Sequence, residues 1–172
     1  MNILAHDLGT RTGWALSEGG RIESGVQDFT PRRGESAGMR YLHFNRWLLR
    51  VHREGFREGQ DRPCDLIVYE MPHLRGGAAA TVLAGLQTRV EEFCATHGIE
   101  HAPVHSATLK KFTTGSGRGD KDAMKIAAKE RGWLTRLFYI PEDDEVDAIC
   151  LLHYALAEII PTPTPGGAGA IS

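Results

Sequence analysis

Four acidic residues of the chain could act together on one substrate. Asp7 closes a short apolar run near the start, and Glu70 closes a second apolar run. Each is followed by turn-forming residues, so both are predicted to lie at strand ends. Asp144 and Asp147 open a late helical segment, and their spacing of i, i+3 places both carboxylates on one helical face.

Carboxylates that converge in a folded protein need a positive partner, because their charges repel one another. Mg²⁺ or Mn²⁺ is the usual partner for hard oxygen ligands. Two such ions about 4 Å apart can activate a water molecule, neutralise the charge on a phosphorane and stabilise the leaving 3′ oxygen. The four acids therefore predict a centre for two Mg²⁺ ions, with Mn²⁺ as a substitute, in an enzyme that hydrolyses phosphodiesters.

Other interpretations of these acids remain open. Asp7 could be a turn residue. An acidic cluster is common at a helix start, and Asp143 could take the place of Asp144 as the ligand. Glu70 and Asp147 lie among apolar residues, where a charge requires a partner, so a solvated surface explains them poorly.

The chain has the size and composition of one globular domain. It has 172 residues, of which 41% are hydrophobic, enough for a sizeable core. Residues 161–172 are Pro-Thr and Gly-Ala sequence with almost nothing to bury, which predicts a disordered tail after a domain at 1–160. The formal net charge of -2 excludes nucleic-acid binding by bulk charge and leaves room for a local basic patch.

Cysteine usage and hydropathy indicate the compartment. Cys64, Cys94 and Cys150 are odd in number and lack a Cys-x-x-Cys spacing, which favours reduced thiols over disulfides or a zinc site. The N-terminus does not resemble a signal peptide, and no apolar run approaches the roughly 20 residues of a membrane span. The sequence predicts a soluble cytoplasmic protein without a membrane partner, in the host cytoplasm if it is viral.

The order of predicted elements indicates the fold. A three-stranded antiparallel meander is followed by strands that alternate with helices, which predicts an α/β protein with a mixed five-stranded sheet flanked by helices, the ribonuclease H-like order. The predicted strands are 2–8, 12–17, 21–29, 65–70 and 99–105. The predicted helices are 39–55, 77–97, 106–113, 120–132 and 142–160.

A basic segment at 105–136 could contact phosphates. It holds eight basic and three acidic residues, a local charge of +5. Its glycine-rich loop at 115–119 could bring backbone amides close to a phosphate, and flanking cations could neutralise others. A solvated helix face with a flexible loop is the alternative. The candidate DNA contacts in this segment are Lys110, Lys111, Arg118 and Lys121, and either Lys111 or Lys121 could approach the scissile phosphate.

Four short blocks follow one another along the chain. They are HDLGTRTGWA at 6–15, VYE at 68–70, KKFTTGSGRGDK at 110–121 and DEVDA at 144–148. In this order they resemble the motifs of the RuvC-type Holliday junction resolvases, of which this chain would be a divergent member, with a phage origin left open.

The resemblance implies a Mg²⁺-dependent homodimeric endonuclease. Such an enzyme nicks two strands of a four-way DNA junction symmetrically and leaves 5′-phosphates and 3′-hydroxyls. By block matching, Asp7, Glu70, Asp144 and Asp147 fall on the catalytic acids of the family. An accessory branch-migration motor is a further question that the sequence leaves open.

The chain departs from the family pattern at some positions. The family commonly has Pro where this chain has Leu8, and some members place His at the position of Asp144. Bacterial members often carry a base-stacking aromatic at the position of His73. The candidate DNA contacts outside the basic segment are His73, Arg75 and the pair Arg32-Arg33. The resemblance favours a dimer interface at the small residues 76–80, with tight packing inside one subunit as the alternative.

Three other functions are alternatives to a junction-resolving nuclease. A less selective nuclease for branched DNA would use the same acids. The turn at 7–10 also resembles the first phosphate loop of actin-like ATPases and sugar kinases, but those proteins clamp ATP between two such domains and this chain has room for one. A catalytically silent DNA-binding module would gain nothing by presenting four acids to phosphates.

Overall fold

The computed structural model describes residues 1–54, 64–73, 76–134 and 139–160. The strands in these ranges are β1 (Ile3–Asp7), β2 (Arg11–Glu18), β3 (Arg21–Asp28), β4 (Leu66–Glu70) and β5 (Glu100–Val104). The helices are α1 (Met39–Glu54), α2 (Gly77–His97), α3 (Ser106–Thr114), α4 (Lys121–Glu130) and α5 (Asp143–Tyr154), and α5 continues into a π-helical turn, Ala155–Ile159.

Each predicted strand and helix is present; α2 has the predicted boundaries, and the other elements are shifted at one or both ends. The final helix was predicted as one element over 142–160, whereas α5 ends at Tyr154 before the π-helical turn. The predicted tail at 161–172 and the candidate contact Arg75 lie outside the described residues. The domain boundary at residue 160 therefore stays a prediction.

The five strands form one mixed sheet in the order β3-β2-β1-β4-β5. The first three strands pair antiparallel, as the predicted meander requires. Strand β4 pairs parallel with both β1 and β5. The predicted mixed sheet is confirmed, and β1 lies at its centre.

The alternation of side chains along the central strands determines on which face of the sheet the candidate acids lie. Ile3 and Ala5 of β1 belong to an apolar cluster with α3, α4 and α5. Leu4 belongs to a second cluster on the opposite face, with α1 and α2. Successive strand residues point to opposite faces, so Asp7 and Glu70 lie on the face that α5 covers.

Helix α5 lies directly against strand β2 at Gly13. A Cβ atom at this position would lie 1.8 Å from the carbonyl oxygen of Asp144 and 2.9 Å from the amide nitrogen of Glu145. Gly13 is also the partner of Asp7 in the sheet register. The missing side chain therefore allows the first turn of α5 to approach the sheet beside Asp7.

The state of the cysteines agrees with the prediction of reduced thiols. All three cysteines are buried free thiols, and burial raises the pKa of the Cys64 thiol to about 12. Among the helices of the described ranges, none has both the length and the apolar composition that crossing a membrane requires.

The Gly13 contact predicts that Gly13→Ala destabilises the protein. The added methyl group would overlap backbone atoms of α5, which cannot move aside as a flexible side chain can. We expect a loss of unfolding free energy of about 1–3 kcal/mol or more, as for other overpacked sites. Urea unfolding followed by circular dichroism would measure it.

Gly38→Ala is the matched control for that substitution. The nearest atom to a Cβ there is the hydroxyl oxygen of Ser36 at 3.7 Å, an ordinary contact. We expect a loss below about 1 kcal/mol, as for changes at helix starts. Equal losses in the two variants would contradict the proposed role of the α5–β2 contact.

Candidate active site

Asp7 and Glu70 end two neighbouring parallel strands. The register pairs His6 with Tyr69, so the next residues along the two strands, Asp7 and Glu70, stand side by side at a strand spacing of about 4.8 Å. Both residues are half-buried. The predicted placement of these two acids at strand ends is confirmed.

Asp144 and Asp147 reach the same edge of the sheet from α5. The helix begins at Asp143, so Asp144 lies in its first turn and Asp147 one turn later. The helix packs against β1 and β2, and Gly13 brings its first turn next to the sheet. Two strands and one helix thus supply four carboxylates to one region.

The four carboxylates interact electrostatically. Burial, followed by the charges of Asp147, Glu70 and Asp144, raises the pKa of Asp7 well above its usual value, while Lys121 opposes the shift. Burial, followed by the charge of Glu70, raises the pKa of Asp147 to about 6. Such shifts are expected where like charges are held together away from water.

The donor set matches a hard divalent cation in type, but a metal centre is not preformed. In the described ranges, no three His, Cys, Asp or Glu side chains stand close enough to hold a metal ion. Mutual repulsion, which contributes after burial to the raised pKa of Asp7, favours separated carboxylates. The acids therefore fit Mg²⁺ or Mn²⁺ by ligand chemistry, and their side chains would have to move closer together to bind it.

Asp143 and Asp144 have different surroundings. Asp143 forms ion pairs with Lys125 and, at 3.3 Å, with Lys121. The hydrogen bond from Lys125 is the main cause that lowers the pKa of Asp143. Both acids raise the pKa of Asp147, after burial and the charge of Glu70, but of the two only Asp144 also contributes to the raised pKa of Asp7. Because Asp143 is already neutralised by two lysines, these contacts favour Asp144 as the acid directed at the site.

Lys121 lies beside the acids at the start of α4. Burial lowers its pKa, but the hydrogen bond to Asp143 and the charges of Asp143, Asp147 and Asp144 outweigh burial and raise it. Its ammonium group is nevertheless mostly exposed. Between Lys111 and Lys121, Lys121 is the one whose charge interacts with Asp7, Asp144 and Asp147.

The other candidate DNA contacts lie on the surface. Lys111, Arg118 and His73 are exposed, and Lys110 is half-buried. His73 follows Glu70 by three residues and is therefore near the same strand end.

The glycine-rich loop at 115–119 uses most of its amides internally. The amides of Gly115 and Gly119 donate to backbone carbonyls. Those of Ser116 and Arg118 donate to the hydroxyls of Thr114 and Ser116. The expectation that these amides cradle a phosphate is therefore wrong for four of the five. Contacts from this segment would have to come from side chains.

Two further acids hold the start of α5, and the sequence pattern does not reveal their roles. Glu145 is 1% exposed and accepts hydrogen bonds from Ser24 at 2.7 Å and from Tyr139 at 2.6 Å. Glu142 forms an ion pair with Arg11 at the start of β2. A carboxylate in an acidic run is typical of an exposed helix start, so only the tertiary contacts show that Glu145 links α5 to β3.

Comparison with solved structures identifies the fold. The structure of Thermus thermophilus RuvC matches with a TM-score of 0.64 and 16% identity over 91% of this chain and 96% of that one. T. thermophilus RuvC in complex with a Holliday junction substrate matches with a TM-score of 0.66 and 18% identity, over 88% and 90% of the two chains. The chain has a ribonuclease H-like fold. No protein-family model and no curated protein matches its sequence.

The raised pKa of Asp147 predicts that Asp147→Asn stabilises the metal-free protein at high pH. A carboxyl whose pKa rises from about 4 unfolded to about 6 folded lowers stability progressively as pH rises through that window. Asn carries no charge, so we expect a gain of about 1–3 kcal/mol at pH 8 and little gain near pH 4. Urea unfolding in EDTA at both pH values would measure the difference.

Asp122→Asn provides the control. Asp122 is an exposed acid in the first turn of α4, and its replacement should change stability by less than about 0.5 kcal/mol. No gain for Asp147→Asn at pH 8, or the same gain at both pH values, would show that Asp147 is not under electrostatic strain.

Proposed function

We propose that the protein is a Mg²⁺-dependent endonuclease that cleaves branched DNA, with the four-way junction as its principal substrate. The observation that carries the proposal is the electrostatic coupling of Asp7, Glu70, Asp144 and Asp147 at one edge of a ribonuclease H-like sheet. A fold alone does not define an activity, whereas a cluster of acids in which the pKa values of Asp7 and Asp147 are raised is typical of a functional site.

The four acids are the proposed metal ligands. Divalent ions held by them would activate water for attack on a phosphodiester and offset the charge that develops on the phosphate and on the leaving 3′ oxygen. Asp7 lies on the central strand, whose paired backbone holds it in a fixed position. Glu70 on the neighbouring strand and the two α5 acids complete the set.

Lys121 is proposed to balance the negative charge of the site. Its ammonium group lowers the pKa of Asp7 and is exposed enough to meet a DNA phosphate. Asp143 holds the lysine in place at 3.3 Å. A phosphate that enters the acidic site would otherwise encounter repulsion from the carboxylates.

The four-way junction is proposed as the substrate because of the fold and because symmetric cutting of such a junction suits a homodimer. One matched neighbour is described as a complex with a Holliday junction substrate. Symmetric cutting of a four-way junction requires two sites, which a homodimer would supply. The start of α2 is exposed, and a Cβ at Gly76 or Gly77 would meet open space. Within the described residues, this exposure supports the segment as the proposed dimer contact of a cytoplasmic enzyme.

Replacement of Asp7 tests the proposed metal site. Asp7→Asn removes a charge and keeps the shape of the side chain, so folding and junction binding should persist. Loss of groups that only support metal ligands typically costs 10- to 100-fold, so removal of a direct ligand should lower Mg²⁺-dependent cleavage by at least about 100-fold. Gel assays with a labelled junction would measure it, with Asp122→Asn as the control. Full activity of Asp7→Asn would reject the site.

A panel of DNA substrates tests junction selectivity. Labelled four-way, three-way, flap and linear duplex DNA should be incubated side by side with Mg²⁺. We expect preferential cutting of the four-way junction at symmetric positions, with products that a ligase can reseal because they carry 5′-phosphates and 3′-hydroxyls. Comparable cutting of linear duplex would reject the junction preference and retain the nuclease.

A further inference from the structure

A second charged surface lies on the face of the sheet opposite to the four acids. It is an open groove of about 440 Å³ between the end of β3 and helix α1. The groove is lined by Arg32, Arg46 and Arg50, by His43, and by the ring of Trp47. Trp47 is only 5% exposed, so it forms a rigid floor below mobile cationic side chains.

Apart from Arg32, which precedes α1, the basic residues of the groove come from one stripe of this helix. Residues His43, Arg46 and Arg50 are spaced at i, i+3 and i+7, which aligns them along one side of a helix. Arg46 and Arg50 are exposed. Like charges at i, i+4 destabilise a helix, so the fold itself gains nothing from placing two arginines there.

The carboxylates near the groove are already engaged. Asp28 accepts a hydrogen bond from the amide of Thr30 at 2.8 Å and interacts with Arg11. Glu35 accepts a hydrogen bond from the amide of Arg32 and lies 4.0 Å from His43. Over the described part of the chain, the guanidinium groups of Arg32, Arg46 and Arg50 form no ion pair.

The groove opens at the same edge of the sheet as the acids. Asp28 pairs with Arg11 at the start of β2, and the amide of Phe29 donates to the carbonyl of Thr10 in the turn that follows Asp7. Strands β3 and β1 are two strand spacings apart, about 10 Å in the plane of the sheet.

We propose that the arginine groove binds the phosphate backbone of DNA a few nucleotides away from the phosphate that is cleaved. The proposal rests on the proposed function and adds a surface on α1 to the expected contacts of segment 105–136. Arginine suits this role because its planar guanidinium donates in pairs to phosphate oxygens. A contact of this kind to the phosphate backbone would position DNA and not read its sequence.

The salt dependence of binding tests the proposal. The Arg46→Gln/Arg50→Gln double variant keeps polar side chains over Trp47 and removes two charges. Binding of a fluorescent four-way junction to the full chain would be measured by anisotropy in Ca²⁺ without Mg²⁺, between 50 and 300 mM salt. Since each phosphate contact contributes about 0.9 to the slope of log K against log salt, we expect the slope to decrease by about 1.8 and affinity near 0.1 M salt to fall about 10- to 100-fold.

Two control variants isolate the groove. Arg53→Gln removes an exposed charge from the same helix outside the groove and should retain the wild-type slope. Arg46→Lys/Arg50→Lys keeps both charges and should also retain most of the slope. If the Gln double variant does not fold, as judged by circular dichroism, the single variant Arg50→Gln should lower the slope by about 0.9.

The outcomes separate the groove from the nuclease. Wild-type slope and affinity in the Gln variant, with the wild type binding and cleaving the junction, would overturn the groove and leave the proposed function intact. An equal loss in Arg53→Gln would also overturn it, because the effect would then be one of general charge. A wild type that neither binds nor cleaves branched DNA would reject the proposed function and the groove together.

Discussion

The contact between the first turn of α5 and strand β2 is the constraint on which the candidate site depends. At Gly13 the helix backbone occupies the space that any side chain would fill. Because Gly13 pairs with Asp7 across the sheet, this one contact determines how closely the helix acids approach the strand acids. The hydrogen bonds of Glu145 to Ser24 and Tyr139 and the ion pair of Glu142 with Arg11 attach the same turn to the neighbouring strands.

These contacts hold α5 in place against the repulsion between the four carboxylates. Burial, followed by the charges of the neighbouring carboxylates, raises the pKa of Asp7 and Asp147, so the charged site is less stable than the same backbone with neutral side chains would be. The apolar cluster between the sheet and α3, α4 and α5 supplies the opposing stabilisation through burial. Lys121 and Lys125 neutralise Asp143 and reduce the local excess of negative charge. Functional sites commonly retain strain that the surrounding core supports.

The sequence predicts those parts of the candidate site that depend on the pattern of neighbouring residues along the chain. Asp7 and Glu70 end apolar runs of strand length, and period-two alternation then determines the sheet face on which they lie. The choice between Asp143 and Asp144 could not be made in this way, because helical spacing does not reveal that Lys121 and Lys125 approach one of them. The same limit applies to the loop at 115–119: its glycines indicate backbone freedom, but its internal hydrogen bonds depend on how the loop folds.

The sheet edge also explains how a chain of net charge -2 can be directed toward a polyanion. Acidic groups are concentrated where α5 meets the ends of β1 and β4, and basic groups lie to either side, on α4 at Lys121 and on α1 at Arg46 and Arg50. Separation of charge on this scale creates local fields that the net charge conceals. Since exposed charges act over about 10 Å at 0.1 M ionic strength, the cations would attract the proposed DNA substrate while the acids stay available for the proposed metal ions. The order of charges along the edge, and not their sum, is therefore what supports the proposal of a phosphodiester substrate.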